Sequence, residues 1–86
     1  MGKSWVVYIL ECKDRTLYTG ITDDFEKRLK AHESSTGAKY TRGRGPFVLR
    51  YLEHFFHRSD ASRREYAIKQ LSRKEKLLLC EQWNQE

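Results

Sequence analysis

The hydrophobic positions of this chain are grouped in short blocks, and their spacing predicts three β-strands. Residues 5–10 form an unbroken run of β-branched, aromatic and aliphatic side chains, which is typical of a buried strand. Polar, turn-forming residues separate this run from a second short block at residues 16–21, so the two blocks predict a hairpin. Residues 47–56 are again dense in β-forming side chains and predict the third strand.

Between the second and third strands, the spacing of the apolar positions changes to that of an amphipathic helix. Thr22, Asp23 and Asp24 offer caps for a helix that ends near residue 32 or 33. Asp23 also has the spacing of a capping box with Glu26. Residues 33–46 contain several serines and glycines and predict a loop.

Two more helices are predicted after the third strand, over residues 61–71 and 73–83. Ser59 or Asp60 is expected to cap the first of them, and Ser72 and Glu75 have capping-box spacing before the second. The order β-β-α-β-α-α indicates an α/β (α+β) fold, with a three-stranded, mainly antiparallel sheet flanked by helices. We expect one such domain over residues 1–86.

Composition supports a compact domain that does not cross a membrane. A chain of 86 residues can form one modest core, and 13% of its residues are aromatic. It has no apolar run near the ~20 residues that span a bilayer and no signal-peptide pattern. Cys12 and Cys80 are therefore expected to be reduced thiols in a cytoplasmic protein. The formal net charge of +5 favours a polyanionic partner, and nucleic acid is the commonest.

Two tyrosines in the predicted hairpin are candidates for chemistry. Tyr8 and Tyr18 lie opposite each other on one face of the hairpin if the turn centres on Lys13. Gly20 follows in the second strand, where a glycine often marks the close approach of another group to the backbone. The alternative is a pair of packed core tyrosines beside a β-bulge.

Charged residues occupy helix positions that should face the core. Arg28 and His32 share the apolar face of the first helix, so Arg28 either binds an anion in a cleft or extends past the core to solvent. His32 is correspondingly a site residue or a satisfied histidine at the core edge. Glu65 lies on the apolar stripe of the second helix. It is expected to be a metal ligand, an acid or base, or a salt-bridge partner of Arg28.

Together, these groups suit the hydrolysis of a phosphodiester bond. The reaction requires a group that activates water, a cation that stabilises the charged transition state, and a metal that neutralises the leaving oxygen. Mg²⁺ needs only one or two protein carboxylates, so Glu65 alone would suffice.

Basic residues are expected to hold the nucleic acid. The predicted loop carries Lys39, Tyr40, Arg42 and Arg44, so that a tyrosine able to stack on a base lies among phosphate-binding cations. Further cations lie on the last two predicted helices: Arg63, Arg64, Lys69, Arg73, Lys74 and Lys76. These either contact phosphates or form a solvated helical face.

The residues in this pattern resemble a known family, the GIY-YIG nucleases. The sequences Val-Val-Tyr around Tyr8 and Tyr-Thr-Gly around Tyr18 resemble its two signature motifs, Gly-Ile-Tyr and Tyr-Ile-Gly. The helix arginine, the histidine one turn later and the metal-binding glutamate of the family are matched by Arg28, His32 and Glu65. Residues 37–42, with Lys69 and Lys76 downstream, are similar to the small stand-alone subfamily often called YhbQ- or YazA-like.

The resemblance implies a role for each matched residue. Tyr8 would act as general base or orient the attacking water, and Tyr18 would assist it. Arg28 would bind the scissile phosphate, and Glu65 would hold Mg²⁺ or Mn²⁺. His32 would support the network through a proton or phosphate contact.

The expected function is therefore a metal-dependent endonuclease that acts on DNA, in branched, damaged or single-stranded form, as in DNA repair. Larger family members have a separate DNA-binding domain, so the expectation here is either a low affinity for the substrate or a protein partner that supplies targeting. The first alternative is a non-catalytic nucleic-acid-binding module. The second is an adaptor whose basic face binds an acidic protein.

Overall fold

The computed structural model describes residues 4–34 and 41–83. The described part contains three strands, β1 (Trp5–Glu11), β2 (Leu17–Thr22) and β3 (Val48–Phe55), and three helices, α1 (Phe25–Glu33), α2 (Arg58–Lys69) and α3 (Arg73–Trp83). The strands form one antiparallel sheet in the order β2-β1-β3. The predicted class and order of elements are confirmed.

The central strand β1 is buried on both faces of the sheet. Every side chain from Val6 to Leu10 is buried, which explains why this run is apolar throughout and does not alternate with polar residues. Val7 and Ile9 point to one face, where they pack with Ala61, Ile68 and Cys80 of α2 and α3. The sheet therefore lies between two helical layers.

The opposite face of β1 carries Val6, Tyr8 and Leu10. Phe25 and Leu29 of α1 pack against this cluster, so α1 provides the helical layer on this face. Tyr8 thus faces α1, in the layer opposite α2 and α3.

The register of the hairpin differs from the prediction by two residues. Tyr8 pairs with Gly20, and Tyr18 pairs with Leu10, so the two tyrosines are diagonal neighbours. The turn is closed by the bonds from Cys12 N to Thr16 O, at 2.8 Å, and from Arg15 N to Cys12 O, at 2.9 Å. Because side chains alternate with a period of two, the shift leaves both tyrosines on the predicted face.

Helix α1 begins at one of the three caps that the sequence offered, whereas α2 begins before its predicted caps. In α1, the carboxylate of Asp24 accepts a bond from Lys27 N at 3.2 Å, so Asp24 is the cap and the predicted box of Asp23 and Glu26 is wrong. Helix α2 begins three residues early, after His57, whose side chain makes no capping bond. Ser59 and Asp60, the predicted caps, lie inside its first turn.

The predicted capping box of α3 is confirmed in both directions. Ser72 N donates to Glu75 Oε1 at 2.9 Å, and Glu75 N donates to Ser72 Oγ at 3.2 Å. The bonds from Ser72 also hold the pKa of the Glu75 carboxyl below its usual value.

Cys12 and Cys80 are buried free thiols. Across residues 4–34 and 41–83, no helix combines the length and apolar character that a membrane crossing requires.

Ser72, which caps α3, and Ser59, which makes no capping bond in α2, allow a matched test of the cap assignments. We expect Ser72→Ala to lower the free energy of unfolding by about 1 kcal/mol, because Glu75 N loses its acceptor. Ser59→Ala should change it by less than about 0.5 kcal/mol, since Ser59 makes no capping bond. Urea denaturation of both variants measures the difference, and equal losses would contradict the assignment.

Candidate active site

The candidate site is built around a buried hydrogen bond between β1 and α1. The hydroxyl of Tyr8 lies 2.9 Å from Nε2 of His32, and both side chains are almost fully buried. Tyr8 is held by the central strand and His32 by the last turn of α1. A buried phenol and a buried imidazole each need a polar partner, and here each provides one for the other.

The other ring nitrogen of His32 is also bonded. Its Nδ1 lies 2.8 Å from Oγ1 of Thr41, a buried residue in the segment between α1 and β3. If Tyr8 donates to Nε2, the imidazole carries its proton on Nδ1 and donates it to the Thr41 oxygen. The sequence reasoning missed Thr41; the available signal was that a buried histidine needs a second partner.

Aromatic rings enclose this chain of hydrogen bonds. The ring of Tyr8 lies 5.4 Å from that of Phe25 and 6.2 Å from that of Tyr18, measured between centroids. The ring centroid of His32 lies 5.2 Å from that of Tyr18 and 6.0 Å from that of Phe47. The structure therefore brings Tyr8, Tyr18 and His32 together in one aromatic cluster.

Gly20 makes room for this cluster. A Cβ at position 20 would lie 2.6 Å from the hydroxyl oxygen of Tyr8 and 3.0 Å from the ring of Tyr18. The group that approaches the backbone here is the Tyr8 side chain. The pairing of β1 with β2 is continuous, so the alternative of a bulge at this glycine is wrong.

Arg28 brings a positive charge to the edge of the cluster. Its side chain is half-buried one turn before His32, on the same face of α1. The interaction with the Tyr8 hydroxyl, followed by that with Tyr18, raises the pKa of Arg28, so it remains a cation. The guanidinium is therefore close to both tyrosine hydroxyls.

Burial sets the protonation states of the two central groups. Loss of hydration raises the pKa of Tyr8 to about 12, although the nearby Arg28 opposes the shift. Burial, with the charge of Arg28, lowers the pKa of His32. At neutral pH the site therefore holds a protonated phenol hydrogen-bonded to a neutral imidazole.

Glu65 approaches the same region from α2, on the other side of the sheet. Its charge contributes to the raised pKa of Tyr8, and its carboxylate makes an ion pair with Lys69 Nζ at 3.2 Å. Within the described residues it makes no salt bridge to Arg28, so that expectation is wrong. The side chain of Glu65 is 23% exposed and can reach a ligand.

A metal ion at this site would have Glu65 as its carboxylate ligand. No group of three or more histidine, cysteine, aspartate or glutamate side chains with metal-binding geometry occurs in residues 4–34 and 41–83. A partly exposed single carboxylate suits Mg²⁺ or Mn²⁺, because Mg²⁺ keeps several waters and accepts substrate phosphates as ligands.

The four residues predicted to bind nucleic acid are not all described. Lys39 and Tyr40 lie outside the described residues. Arg42 is exposed beside Thr41. Arg44 makes a salt bridge to Asp14, and its carbonyl accepts a bond from Lys13 N at 2.7 Å, which ties this segment to the hairpin turn.

The sequence of this chain is similar to a known domain family and to proteins of other organisms. Residues 4–77 match the model of the GIY-YIG catalytic domain. The UPF0213 protein of Oceanobacillus iheyensis is 54% identical over 86 residues, the whole of both chains. That of Clostridium perfringens is 59% identical over 73 residues, or 85% of this chain and 78% of the relative.

Two solved structures share the fold. The solution structure of a UPF0213 protein from Bacillus halodurans is 53% identical, with a TM-score of 0.58 over 88% of this chain and 81% of that chain. A solution structure from Enterococcus faecalis is 41% identical, with a TM-score of 0.67 over 98% of this chain and 90% of that chain.

The close contact at Gly20 predicts a strong coupling between β2 and Tyr8. We expect Gly20→Ala to lower the free energy of unfolding by ~1–3 kcal/mol, because the new methyl group collides with the Tyr8 ring. Denaturation of Gly20→Ala, Tyr8→Phe and the double variant gives the coupling energy. Strictly additive losses would contradict a direct collision.

The lowered pKa of His32 predicts a loss of stability in mild acid. Its folded-state pKa lies below the ordinary value of 6.5, so the unfolded chain binds the proton first. This contribution to stability is complete above pH 6.5 and is lost as the pH falls towards the lowered pKa. Denaturation of wild type and His32→Gln between about pH 7.5 and pH 5.5 should show a steeper decline for wild type. Equal slopes would count against a buried neutral His32.

Proposed function

This chain belongs to the GIY-YIG catalytic-domain family, whose function is of the nuclease type, and we propose that it hydrolyses phosphodiester bonds of DNA with the help of a divalent metal ion. The observation that carries the proposal is the buried bond from Tyr8 to His32 beside the charge of Arg28. This arrangement places a route for proton transfer, from Tyr8 to His32, beside a cation that can bind phosphate. We expect branched, damaged or single-stranded DNA to be the substrate, with a protein partner for targeting.

Arg28 would bind the scissile phosphate. Its charge is permanent, and its planar fork of donors matches two phosphate oxygens. It is half-buried, so water screens its charge less than that of an exposed arginine. Because both tyrosine hydroxyls lie close to it, a phosphate bound there has phenolic groups beside its phosphorus.

Tyr8 would pass a proton from the attacking water to His32. With a pKa near 12, Tyr8 is protonated at neutral pH and is not a free tyrosinate. It can accept a proton from water only as it gives its own to Nε2 of His32, 2.9 Å away. Thr41 accepts a bond from Nδ1 and so supports the resulting imidazolium. Tyr18, against the His32 ring, would help to orient the water.

Glu65 would hold the metal ion. When bound, Mg²⁺ or Mn²⁺ would stabilise negative charge on the phosphate and on the leaving oxygen. Glu65 first has to exchange its ion pair with Lys69, which is partly exposed and therefore contributes little stability.

A non-catalytic nucleic-acid-binding module is the second candidate. The observation that favours it is the same ion pair, because Lys69 already neutralises the carboxylate of Glu65. Such a module would bind DNA in a salt-sensitive way and would not respond to the neutralisation of Glu65.

Cleavage assays with a matched control distinguish the two candidates. Labelled single-stranded, duplex and branched DNA are incubated with Mg²⁺ or Mn²⁺ and with wild type, Glu65→Gln or Glu81→Gln. Glu81 is an exposed carboxylate on α3, so its variant makes the same charge change elsewhere. We expect Glu65→Gln to slow cleavage by at least about 100-fold and Glu81→Gln to have no effect.

The other outcomes overturn the proposal in different ways. Equal cleavage by wild type and Glu65→Gln would mean that the metal is held elsewhere or that a contaminant cuts the DNA. Binding by wild type without cleavage of any substrate would favour the non-catalytic module. A Tyr8→Phe variant that cleaved at the wild-type rate would exclude the proton path through His32.

A further inference from the structure

A cavity with two lysines in its lining lies beside the edge strand β2. It has a volume of about 410 Å³ and is lined by Leu17, Tyr18, Thr19, Lys69 and Lys76. Strand β2 forms one edge of the sheet, so β1 covers only one of its sides. The two lysines come from the last turn of α2 and the first turns of α3.

The cavity carries positive charge. Within the described residues, Lys76 makes no ion pair, and Lys69 pairs only with Glu65. That pair is exposed enough to exchange, since the side chain of Lys69 is 52% accessible. Both ammonium groups can therefore turn to an anion bound in the cavity.

Thr19 adds an unexplained polar group. It is 4% exposed, and its Oγ1 is buried without a hydrogen-bond partner in the part of the chain that the structure describes. Leaving a buried hydroxyl unpaired costs roughly 1–3 kcal/mol. A ligand oxygen in this cavity would provide the missing partner.

Tyr18 connects the cavity to the candidate active site. It lines the cavity, and its ring also contacts the ring of His32 at 5.2 Å. Lys69 makes the second connection through its ion pair with Glu65. An anion bound in the cavity would therefore lie next to a ligand bound in the candidate active site.

We propose that this cavity binds a backbone phosphate of nucleic acid, next to the phosphate at Arg28. The proposal rests on the proposed function, because that function makes a polymer with regularly spaced phosphates the ligand. Two ammonium groups and a hydroxyl bind phosphate oxygens, and the apolar side chain of Leu17 can pack on a sugar. The site would orient the strand along the edge of β2.

The test measures binding without catalysis. Fluorescence anisotropy with a short labelled single-stranded DNA, in EDTA and over a range of salt concentrations, gives Kd and its salt dependence. The variants are Lys69→Gln, Lys76→Gln and the matched control Lys74→Gln, an exposed lysine of α3 outside the cavity. We expect each cavity variant to weaken binding about tenfold. The slope of log Kd against log salt should fall by about 0.7, one phosphate contact of a single strand.

Thr19→Val separates a binding role from a structural one. Because the hydroxyl has no partner in the free protein, its removal should leave Tm unchanged or raise it while weakening DNA binding several-fold. A lower Tm with unchanged binding would mean that the hydroxyl serves the fold alone and would exclude it from the site.

Competition identifies the source of the phosphate. We expect an abasic oligonucleotide to displace the labelled DNA at micromolar concentration and inorganic phosphate to fail at the same concentration. Equal competition by both would overturn a backbone site in favour of free phosphate. Cavity variants that bind like Lys74→Gln would overturn the subsite, whereas metal-dependent cleavage in the separate assay would leave the nuclease proposal intact.

Discussion

The structure depends on one constraint: the hydroxyl of Tyr8 is buried and must find a polar partner. Tyr8 lies on the central strand, where both faces of the sheet are covered, so water is excluded from it. His32 provides the partner at 2.9 Å and is in turn bonded by Thr41 at 2.8 Å. The same contacts pack α1 on the sheet and align a phenol with an imidazole. Gly20 provides the space for the ring, so the glycine serves the fold and the site together.

Charge is brought to this buried pair from two layers. Arg28 comes from α1 on one face of the sheet, and Glu65 comes from α2 on the other. Both act on the pKa of Tyr8, with opposite signs: Arg28 lowers it and Glu65 raises it. Burial outweighs the opposing effect of Arg28 on the pKa of Tyr8, and Tyr8 keeps its proton at neutral pH. A proton path through the neutral imidazole follows more readily from these states than a permanent tyrosinate.

The ion pair of Glu65 with Lys69 gives the site a resting state. In this pair the carboxylate of Glu65 is neutralised by the ammonium group of Lys69. The pair is partly exposed, so a cation at the carboxylate or a phosphate near the lysine can replace either partner at little cost.

The sequence by itself determined the order of the elements, the face on which Tyr8 and Tyr18 lie, and the capping box of Ser72 and Glu75. These depend on local periodicity, and the period of two kept the tyrosines on one face although the turn shifted their register by two residues. The pair of Glu65 with Lys69 is also local, because the two residues are four positions apart on α2, and the sequence reasoning missed it. Only the tertiary structure decided the partners of the buried groups: Tyr8 lies 24 residues from His32, and Thr41 lies nine residues from it. These bonds depend on how α1 and the segment after it pack on the sheet, and no local pattern in the sequence encodes that distance.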